Sequence, residues 1–137
     1  MTKKTLMYAA IAMLLAGCFS CQNKKQEVQL SGRFVHHVLF WLVEPENPGA
    51  RTEFEGALRD LASIDLVVAN HLGVPAATNR EVIENSYTYS IVLTFANKAD
   101  QDAYQIHPDH LKFIDKYGHL WSKVTVIDTE SIDNTNQ

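Results

Sequence analysis

The sequence predicts an α+β fold of the ferredoxin-like type, a βαββαβ sandwich in which four antiparallel strands carry two helices on one face. Three observations lead to this prediction. The spacing of apolar residues changes along the chain in the order strand, helix, strand, strand, helix, strand. The part of the chain with this periodicity, residues 33–129, is long enough for one hydrophobic core and too short for two. The first strand is also apolar on both faces, although two helices can cover only one of them.

The first strand is predicted over residues 34–43, a β-branched and aromatic run that ends before Pro45. Because side chains alternate along a strand, two sets of residues lie on opposite faces. One face carries His36, Val38, Phe40 and Leu42, and the other carries Val35, His37, Leu39 and Trp41. The second face, extended by Val92 and Ile127, predicts a homodimer that closes through the sheet. A monomer with a partly exposed sheet is the alternative.

The next elements follow from periodicity and from turn residues. A helix is predicted over residues 50–64, where apolar residues recur at helical spacing. Strands are predicted over 66–72, 87–95 and 121–127, and a long loop over 73–86. In the strand over 87–95, Tyr89 and Ile91 share one face. The last residues, 130–137, are predicted to form a polar tail.

The second helical region, residues 99–117, contains the sequence His-Pro-Asp-His in its middle. Pro108 disfavours the helical conformation at His107, so the helix is expected to break there and to restart at Pro108. His110 then lies in the first turn of the restarted helix, aligned with an apolar stripe of Phe113, Ile114 and Tyr117. Burial and a helix N-terminus both favour a neutral imidazole, which can accept a proton. A nearby tyrosine hydroxyl could polarise a carbonyl group.

The first eighteen residues have the features of a bacterial lipoprotein signal. Lys3 and Lys4 precede an uncharged apolar run over residues 6–17. This run is shorter than the roughly 20 residues that a membrane-spanning helix needs, and its length suits a secretory signal. The run ends in Leu-Ala-Gly-Cys, which resembles the lipobox, whose cysteine (here Cys18) becomes the lipidated first residue. An ordinary signal peptide with an incidental cysteine is the alternative.

The signal divides the chain into segments with different roles. Residues 1–17 are expected to be removed, and residues 18–32 to form the lipidated cysteine and a flexible tether. Phe19, rather than Asp, follows Cys18, which by resemblance to the Gram-negative sorting pattern favours the outer membrane. Removal of Lys3 and Lys4 leaves 12 − 2 = 10 basic against 16 acidic residues, a formal charge of −6. This balance, without a cluster of Lys and Arg, argues against a nucleic-acid partner.

Three motifs in the predicted domain resemble those of the Dabb family, the stress-responsive dimeric α/β-barrel domain. They are Tyr104-x-x-His107-Pro108-x-His110-x-x-Phe113, the opening His36-x-Val38-Leu39-Phe40, and Trp121-x-Lys123-x-x-x-x-Asp128. The resemblance covers about residues 33–129. It implies a homodimeric α/β barrel, which agrees with the fold that the periodicity predicts.

The resemblance implies two alternative functions. The first is a stress-response or binding protein that holds a small apolar ligand and performs no chemistry. The second is a cofactor-independent enzyme like the plant polyketide cyclases of this fold, which would use His110 as general base and Tyr104 for an aldol-type cyclisation or a lyase reaction. The pocket residues that the resemblance implies are His36, Val38, Phe40, Tyr89, Ile91, His107, Phe113 and Tyr117. Tyr89 stands where the plant cyclase has a histidine.

We expect no metal and no cofactor. His107, His110 and Asp115 could be considered as metal ligands, but the two histidines are separated by a helix break and no fourth ligand is evident. The expected partners are therefore a second copy of the chain, the membrane through the lipid anchor, and a small apolar ligand.

Overall fold

A computed structural model of the chain describes residues 32–132. The predicted signal peptide, Cys18, the tether up to residue 31 and the tail beyond residue 132 lie outside the described residues. In the described part, no helix combines the length and the apolar character that crossing a membrane requires.

Four strands and three helices build the described domain. Their order is β1 (Phe34–Leu42), α1 (Pro48–Ala62), β2 (Ala69–Gly73), β3 (Tyr89–Phe95), α2 (Lys98–Gln105), α3 (Pro108–Tyr117), a 3₁₀ turn (Gly118–Leu120) and β4 (Trp121–Glu130). The strands form one sheet in the order β2-β3-β1-β4, and all neighbouring pairs are antiparallel. The predicted α+β ferredoxin-like fold is confirmed.

The helices cover one face of the sheet, which we call the covered face. The alternation predicted for β1 is confirmed, because the even-numbered residues from Phe34 to Leu42 are all buried. They pack with the inward side chains of β3 and with Phe54, Leu58 and Leu61 of α1. Burial of this apolar area is the main stabilising contribution to the fold.

The helix break at Pro108 is confirmed. The backbone of His107 is extended, its Nδ1 accepts a hydrogen bond from the Asp109 N–H, and α3 begins at Pro108. His110 and Phe113 are buried as predicted. Ile114 is an exception, because 48% of its surface is exposed. It lies on the flank of α3 beside the buried stripe.

The ends of several elements differ from the predicted ones. α1 begins at Pro48 rather than residue 50 because the side chain of Asn47 caps it, accepting hydrogen bonds from two backbone N–H groups. β2 begins at Ala69 rather than residue 66, since the Val67 N–H is bonded to the Ile64 carbonyl in a turn. β3 begins at Tyr89. β4 continues to Glu130, which pairs with Phe34, so the strand extends into the predicted tail.

None of the helices within residues 32–132 lies on the other face of the sheet, which we call the open face. Val35, His37 and Trp41 are partly exposed there, as the sequence predicts. Leu39 was expected to face water, and this is wrong for the single chain, since only 8% of its surface is exposed. Leu39 lies in the middle of the sheet, between Ser90 of β3 and Thr125 of β4, and these neighbours enclose it.

Candidate functional site

Three ring-bearing side chains from different elements meet between the sheet and the helices. They are His36 of β1, Tyr104 of α2 and His110 of α3, and we call them the histidine–tyrosine cluster. The ring centroids of Tyr104 and His110 are 4.7 Å apart, and those of Tyr104 and His36 are 6.2 Å apart. All three residues are buried. The fold therefore brings both predicted catalytic residues together with the predicted pocket histidine of β1.

Asp128 holds His36 in position from the edge of the sheet. The two residues are directly paired across β1 and β4, and Nδ1 of His36 lies 2.6 Å from Oδ1 of Asp128. Because a carboxylate oxygen accepts hydrogen bonds, Nδ1 carries the hydrogen and Nε2 is turned away from Asp128. The side chain of Asp128 is 43% exposed, whereas that of His36 is buried. The cluster thus meets solvent on its β4 side.

His110 is anchored by the backbone at the end of α2. Its Nδ1 donates a hydrogen bond to the Gln105 carbonyl oxygen over 3.0 Å, so in the neutral ring Nε2 carries the lone pair. Burial lowers the pKa of His110, the hydrogen bond to Gln105 opposes this, and the proximity of His36 and His107 lowers the pKa further. His110 is therefore neutral at neutral pH, and its Nε2 can accept a proton or a hydrogen bond.

Tyr104 differs from the two histidines because no described residue anchors its polar atom. Within residues 32–132 its hydroxyl makes no hydrogen bond, although only 1% of the residue's surface is exposed. Every fully buried polar side-chain atom of the described residues has a partner, so the small exposed area of Tyr104 must include its hydroxyl oxygen. Burial raises the pKa of Tyr104, and the group remains a phenol that can donate a hydrogen bond.

His107, next to the cluster, caps the N-terminus of α3. Its Nδ1 accepts the hydrogen bond from the Asp109 N–H that caps α3. A ring nitrogen that accepts must be unprotonated, so this contact fixes the tautomer of His107. The residue sets where α3 begins, and thereby where His110 lies.

Several of the predicted pocket residues form a packed aromatic core. Phe40 and Phe113 contact each other and also contact Phe54 and Trp121, with ring centroids 5.1 to 6.2 Å apart. Val38 and Ile91 are buried in the same core. Of four clefts on the described surface, none is lined by a member of the histidine–tyrosine cluster.

Tyr89 and Tyr117 lie in separate surroundings. The Tyr89 hydroxyl donates a hydrogen bond to Glu55 over 2.6 Å, and Arg51 lies over its ring. Burial and the bond to Glu55 raise the pKa of Tyr89 to about 12. It borders a cleft of about 220 Å³ between α1 and β2. Tyr117 borders a cleft of about 310 Å³ between α1 and α3, and its hydroxyl accepts a hydrogen bond from Lys116.

The described residues contain no group of three or more His, Cys, Asp or Glu side chains placed to hold a metal ion. His107 and His110 use their Nδ1 atoms for the capping contact and for Gln105, respectively. These hydrogen bonds fix the orientations of the two rings for structural purposes.

Two groups that shape the site, Asp128 and the Gln105 carbonyl, are not among the site residues predicted from the sequence. Asp128 was noted only within a motif, but its even spacing from Val124 and Val126 along β4 puts it on the covered face beside His36. The role of Gln105 could not be read from residue type, because the carbonyl that anchors His110 belongs to the backbone at the helix break.

The open face also carries polar contacts. The Ser90 hydroxyl and Nε2 of His37 are 2.9 Å apart. At the end of β1, the Trp41 indole N–H donates to the Ser86 hydroxyl, and Lys123 lies 3.9 Å from the centre of the Trp41 ring. Apart from the buried Ser90, the side chains in these contacts are partly or fully exposed.

A single antiparallel sheet with helices on one face defines the chain as a ferredoxin-like α+β protein. The His-Pro-x-His sequence at the helix break, which contains His110, is a more specific feature that distinguishes families within this fold. Residues 34–131 match the family described as Stress responsive A/B Barrel Domain, or Dabb. The chain belongs to the Dabb family.

Solved structures agree with this assignment. A Dabb family protein with a ferredoxin-like fold from Mesorhizobium loti is 24% identical, with a TM-score of 0.62, over 74% of this chain and 98% of that one. A protein from Arabidopsis thaliana is 25% identical, with a TM-score of 0.62, over 72% and 94% of the two chains. A ferredoxin-like protein of unknown function from Jannaschia sp. is 26% identical, with a TM-score of 0.56, over 73% and 100%.

The Jannaschia protein is described as dimeric, as is a ferredoxin-like protein of unknown function from Bacteroides fragilis that is 18% identical. Dimers are therefore described among proteins of this fold. No curated protein matches the chain significantly.

Proposed function

We propose that the protein is a lipid-anchored homodimer that binds a small, largely apolar ligand with an uncharged polar group at the histidine–tyrosine cluster. The observation that carries the proposal is the Tyr104 hydroxyl, which has no partner within residues 32–132 and lies beside two anchored imidazoles. Because this hydroxyl has only a small contact with solvent, an acceptor on a ligand can bond to it with little loss of solvation. The family description adds a link to stress responses, which we extend to this chain.

The apolar part of such a ligand has a suitable surface beside the cluster. α1 lies over β2 and β3, and α3 packs against α1 through the side that carries Lys112 and Lys116. Helical spacing turns Leu111 and Ile114 to the opposite flank, towards β4. On the covered face of β4, no helix within residues 32–132 buries Val124 and Val126, which are 45% and 49% exposed. Leu111 and Ile114 are 51% and 48% exposed, and we infer that the four side chains border an apolar trough.

The trough and the cluster are adjacent, because the trough residues of β4 and Asp128 are paired with successive covered-face residues of β1. Val124 pairs with Phe40, Val126 with Val38, and Asp128 with His36. A ligand along β4 would therefore place one end at Asp128, His36 and Tyr104. An uncharged carbonyl or hydroxyl group suits this end, since Tyr104 can donate to it and the Asp128 carboxylate would repel an anion.

A binding experiment with 4-propylphenol tests this proposal. We expect saturable binding to the purified chain by calorimetry, and binding about 5- to 10-fold weaker in Tyr104→Phe, which removes one hydrogen bond. His119→Asn, at an exposed position on the 3₁₀ turn, is the matched control and should bind like wild type. Equal affinity of the wild type and Tyr104→Phe, or no binding at all, would contradict the proposal.

The homodimer proposal is supported by the open face and by β4. Apolar side chains lie on both faces of this edge strand, with Ile127 of the open face 47% exposed. Exposed apolar surface of this extent is typical of an interface, and the dimeric homologues point to a second copy as the partner. Sedimentation equilibrium tests this, because a chain that stays monomeric at micromolar concentration contradicts it.

The lipid anchor is proposed from the leader and Cys18 alone. We expect the protein to fractionate with membranes and Cys18→Ser to be released from them, since one thioether-linked lipid group and an acyl chain provide the attachment. Cys21→Ser is the matched control, since Cys21 lies three residues further along the same segment. A Cys18→Ser protein that remains with the membranes would refute the anchor.

A second candidate is cofactor-independent acid–base catalysis, as in the plant polyketide cyclases that the motifs resemble. The observation that favours it is the orientation of His110, whose Nδ1 is fixed by Gln105 and whose pKa is lowered by burial. In such a reaction Nε2 of His110 would take a proton from a carbon next to a carbonyl, and Tyr104 would donate to the enolate oxygen. The two candidates share the site and differ in whether a proton moves.

Deuterium exchange of a 1,3-diketone in heavy water distinguishes the two candidates. If the site is catalytic, the wild type accelerates exchange at the central carbon and His110→Ala loses at least about 100-fold of this acceleration. If wild type binds the diketone without accelerating exchange, the protein is a binding protein and the catalytic candidate is wrong.

A further inference from the structure

The open face carries an unusual set of ionisable side chains. On this face of the four strands, within residues 32–132, they are His37 of β1, His71 of β2 and Lys123 of β4. No carboxylate of these strands shares the face, because Asp128 and Glu130 alternate to the covered side. The carboxylate at its margin is Glu84 in the loop beside Ser86, where it lies near Lys123. Acidification can therefore only add positive charge to the centre of this face.

The two histidines lie close to each other. His37 pairs with Val92, and Val92 pairs with His71, so the three residues form one row across the sheet. The His37 ring reaches Ser90 with Nε2. Nε2 of His71 lies beside Gly73 of the same strand, 3.0 Å from the point that a Cβ atom would occupy there. Gly73 is paired with Ser90 on the neighbouring strand. Both imidazoles thus lean towards Ser90 at the centre of the open face.

Ser90 and the surroundings of His37 favour the neutral ring. The Ser90 hydroxyl can donate to the unprotonated Nε2 of His37, a contact that protonation of Nε2 reverses. Burial lowers the pKa of His37 in the single chain, and His36 and His71 lower it further. Among the described residues, Asp128 is the only carboxylate bonded to His36 or His71, and it is bonded to His36 on the opposite face of the sheet.

We propose that this face makes the association of two copies sensitive to pH, with a dimer at neutral pH that protonation of His37 and His71 weakens. The inference rests on the proposed homodimer. Closing two open faces on each other brings four imidazoles into one interface and removes water from them. The neutral rings tolerate this, whereas imidazolium ions would be desolvated and would repel one another. Because protonation opposes association, linkage requires the dimer to weaken as pH falls below about 6.5.

Sedimentation equilibrium of the full chain in a nonionic detergent tests the inference. We expect the dissociation constant of the dimer to rise at least about 10-fold between about pH 7.5 and about pH 5.5, because each unit of pKa shift corresponds to a factor of ten. The double variant His37→Asn and His71→Asn should remain dimeric and lose most of this dependence, since neither amide titrates. If the double variant does not fold, His71→Asn alone should lose part of it, because His71 is exposed in the single chain.

The outcomes separate the switch from the dimer itself. His119→Asn, outside the open face, should keep the wild-type dependence. A dimer with the same dissociation constant at both pH values would overturn the switch and leave the homodimer standing. Persistence of the full pH dependence in the double variant would also overturn it, whereas a chain that is monomeric at every pH would overturn both proposals.

Discussion

The two faces of this sheet are built from the same four strands, yet their polar residues differ in burial and in hydrogen-bond partners. On the covered face His36 and His110 are fixed by Asp128 and by the Gln105 carbonyl, and aromatic rings fill the space around them. On the open face the polar contacts include partly exposed or exposed side chains, as where the partly exposed His37 contacts the buried Ser90. On the covered face, the polar groups have partners and the apolar side chains are buried within one chain, apart from the Tyr104 hydroxyl and the trough along β4. The open face leaves Val35, His37 and Trp41 partly exposed, and it is the face through which we propose that two copies associate.

This difference shows that burial alone does not identify a functional group. Leu39, Ser90 and Thr94 of the open face are as buried as many residues under the helices. What distinguishes the candidate site is a nearly buried donor, the Tyr104 hydroxyl, that no residue within 32–132 satisfies and that keeps a small contact with solvent. Polar groups in such surroundings normally have partners, so we take this hydroxyl as the place for a ligand.

The largest expected effect is on the covered face, at Phe54. Phe54→Ala should lower the free energy of unfolding by about 3–5 kcal/mol, since its fully buried ring contacts Phe40, Tyr89 and Trp121. Ile127→Ala, on the open face, is the comparison and should cost less than about 1 kcal/mol in the monomer. Denaturant unfolding at low protein concentration measures both. Equal losses would mean that the two faces do not differ as described.

An intermediate effect is expected at the end of β1, where Thr88 accepts a hydrogen bond from the buried Leu42 N–H over 3.0 Å. Thr88→Val keeps the shape of the side chain and removes the acceptor, so it should cost about 1–3 kcal/mol. Ser90→Ala should cost less, because His37 is partly exposed and water can replace the lost hydroxyl. Thermal unfolding of the two variants checks the order, and a larger loss in Ser90→Ala would contradict it.

The smallest expected effect is the pH dependence that His110 contributes to stability. Because folding lowers the pKa of His110, the unfolded chain binds more protons as pH falls below about 6.5, and stability decreases there. His110→Asn should flatten this part of the stability curve and leave the slope above about pH 7.5 unchanged. Unfolding curves of both proteins across this range measure the difference. A slope identical to that of wild type would show that His110 titrates as it does in the unfolded chain.

Much of the fold could be predicted from the sequence because it depends on local patterns. Alternation in β1 assigned its two faces correctly, and Pro108 fixed the helix break that places His110. The end of β4 could not be predicted, since its last residues are polar and are held in the strand by pairing with β1.

The candidate site was only partly predictable. His36, Tyr104 and His110 were selected from the motifs, and the fold brings them together. Tyr89 and Tyr117 have the same hydroxyl group as Tyr104, but their hydroxyls are hydrogen-bonded to Glu55 and Lys116. The sequence does not specify the geometry of these contacts between side chains. Which aromatic residues line a site and which fill the core depends on packing across elements.

The chain offers one direct test of the central claim, because each face carries one of its two tryptophans. Trp121 stacks against Phe113 on the covered face, and Trp41 lies on the open face. Acrylamide quenching of the single-tryptophan variants Trp121→Phe and Trp41→Phe reports the accessibility of each face. On dilution from about 100 µM to about 0.1 µM, we predict that quenching of Trp41 increases as a dimer dissociates while quenching of Trp121 stays constant. Constant quenching of Trp41, or a change confined to Trp121, would contradict the account.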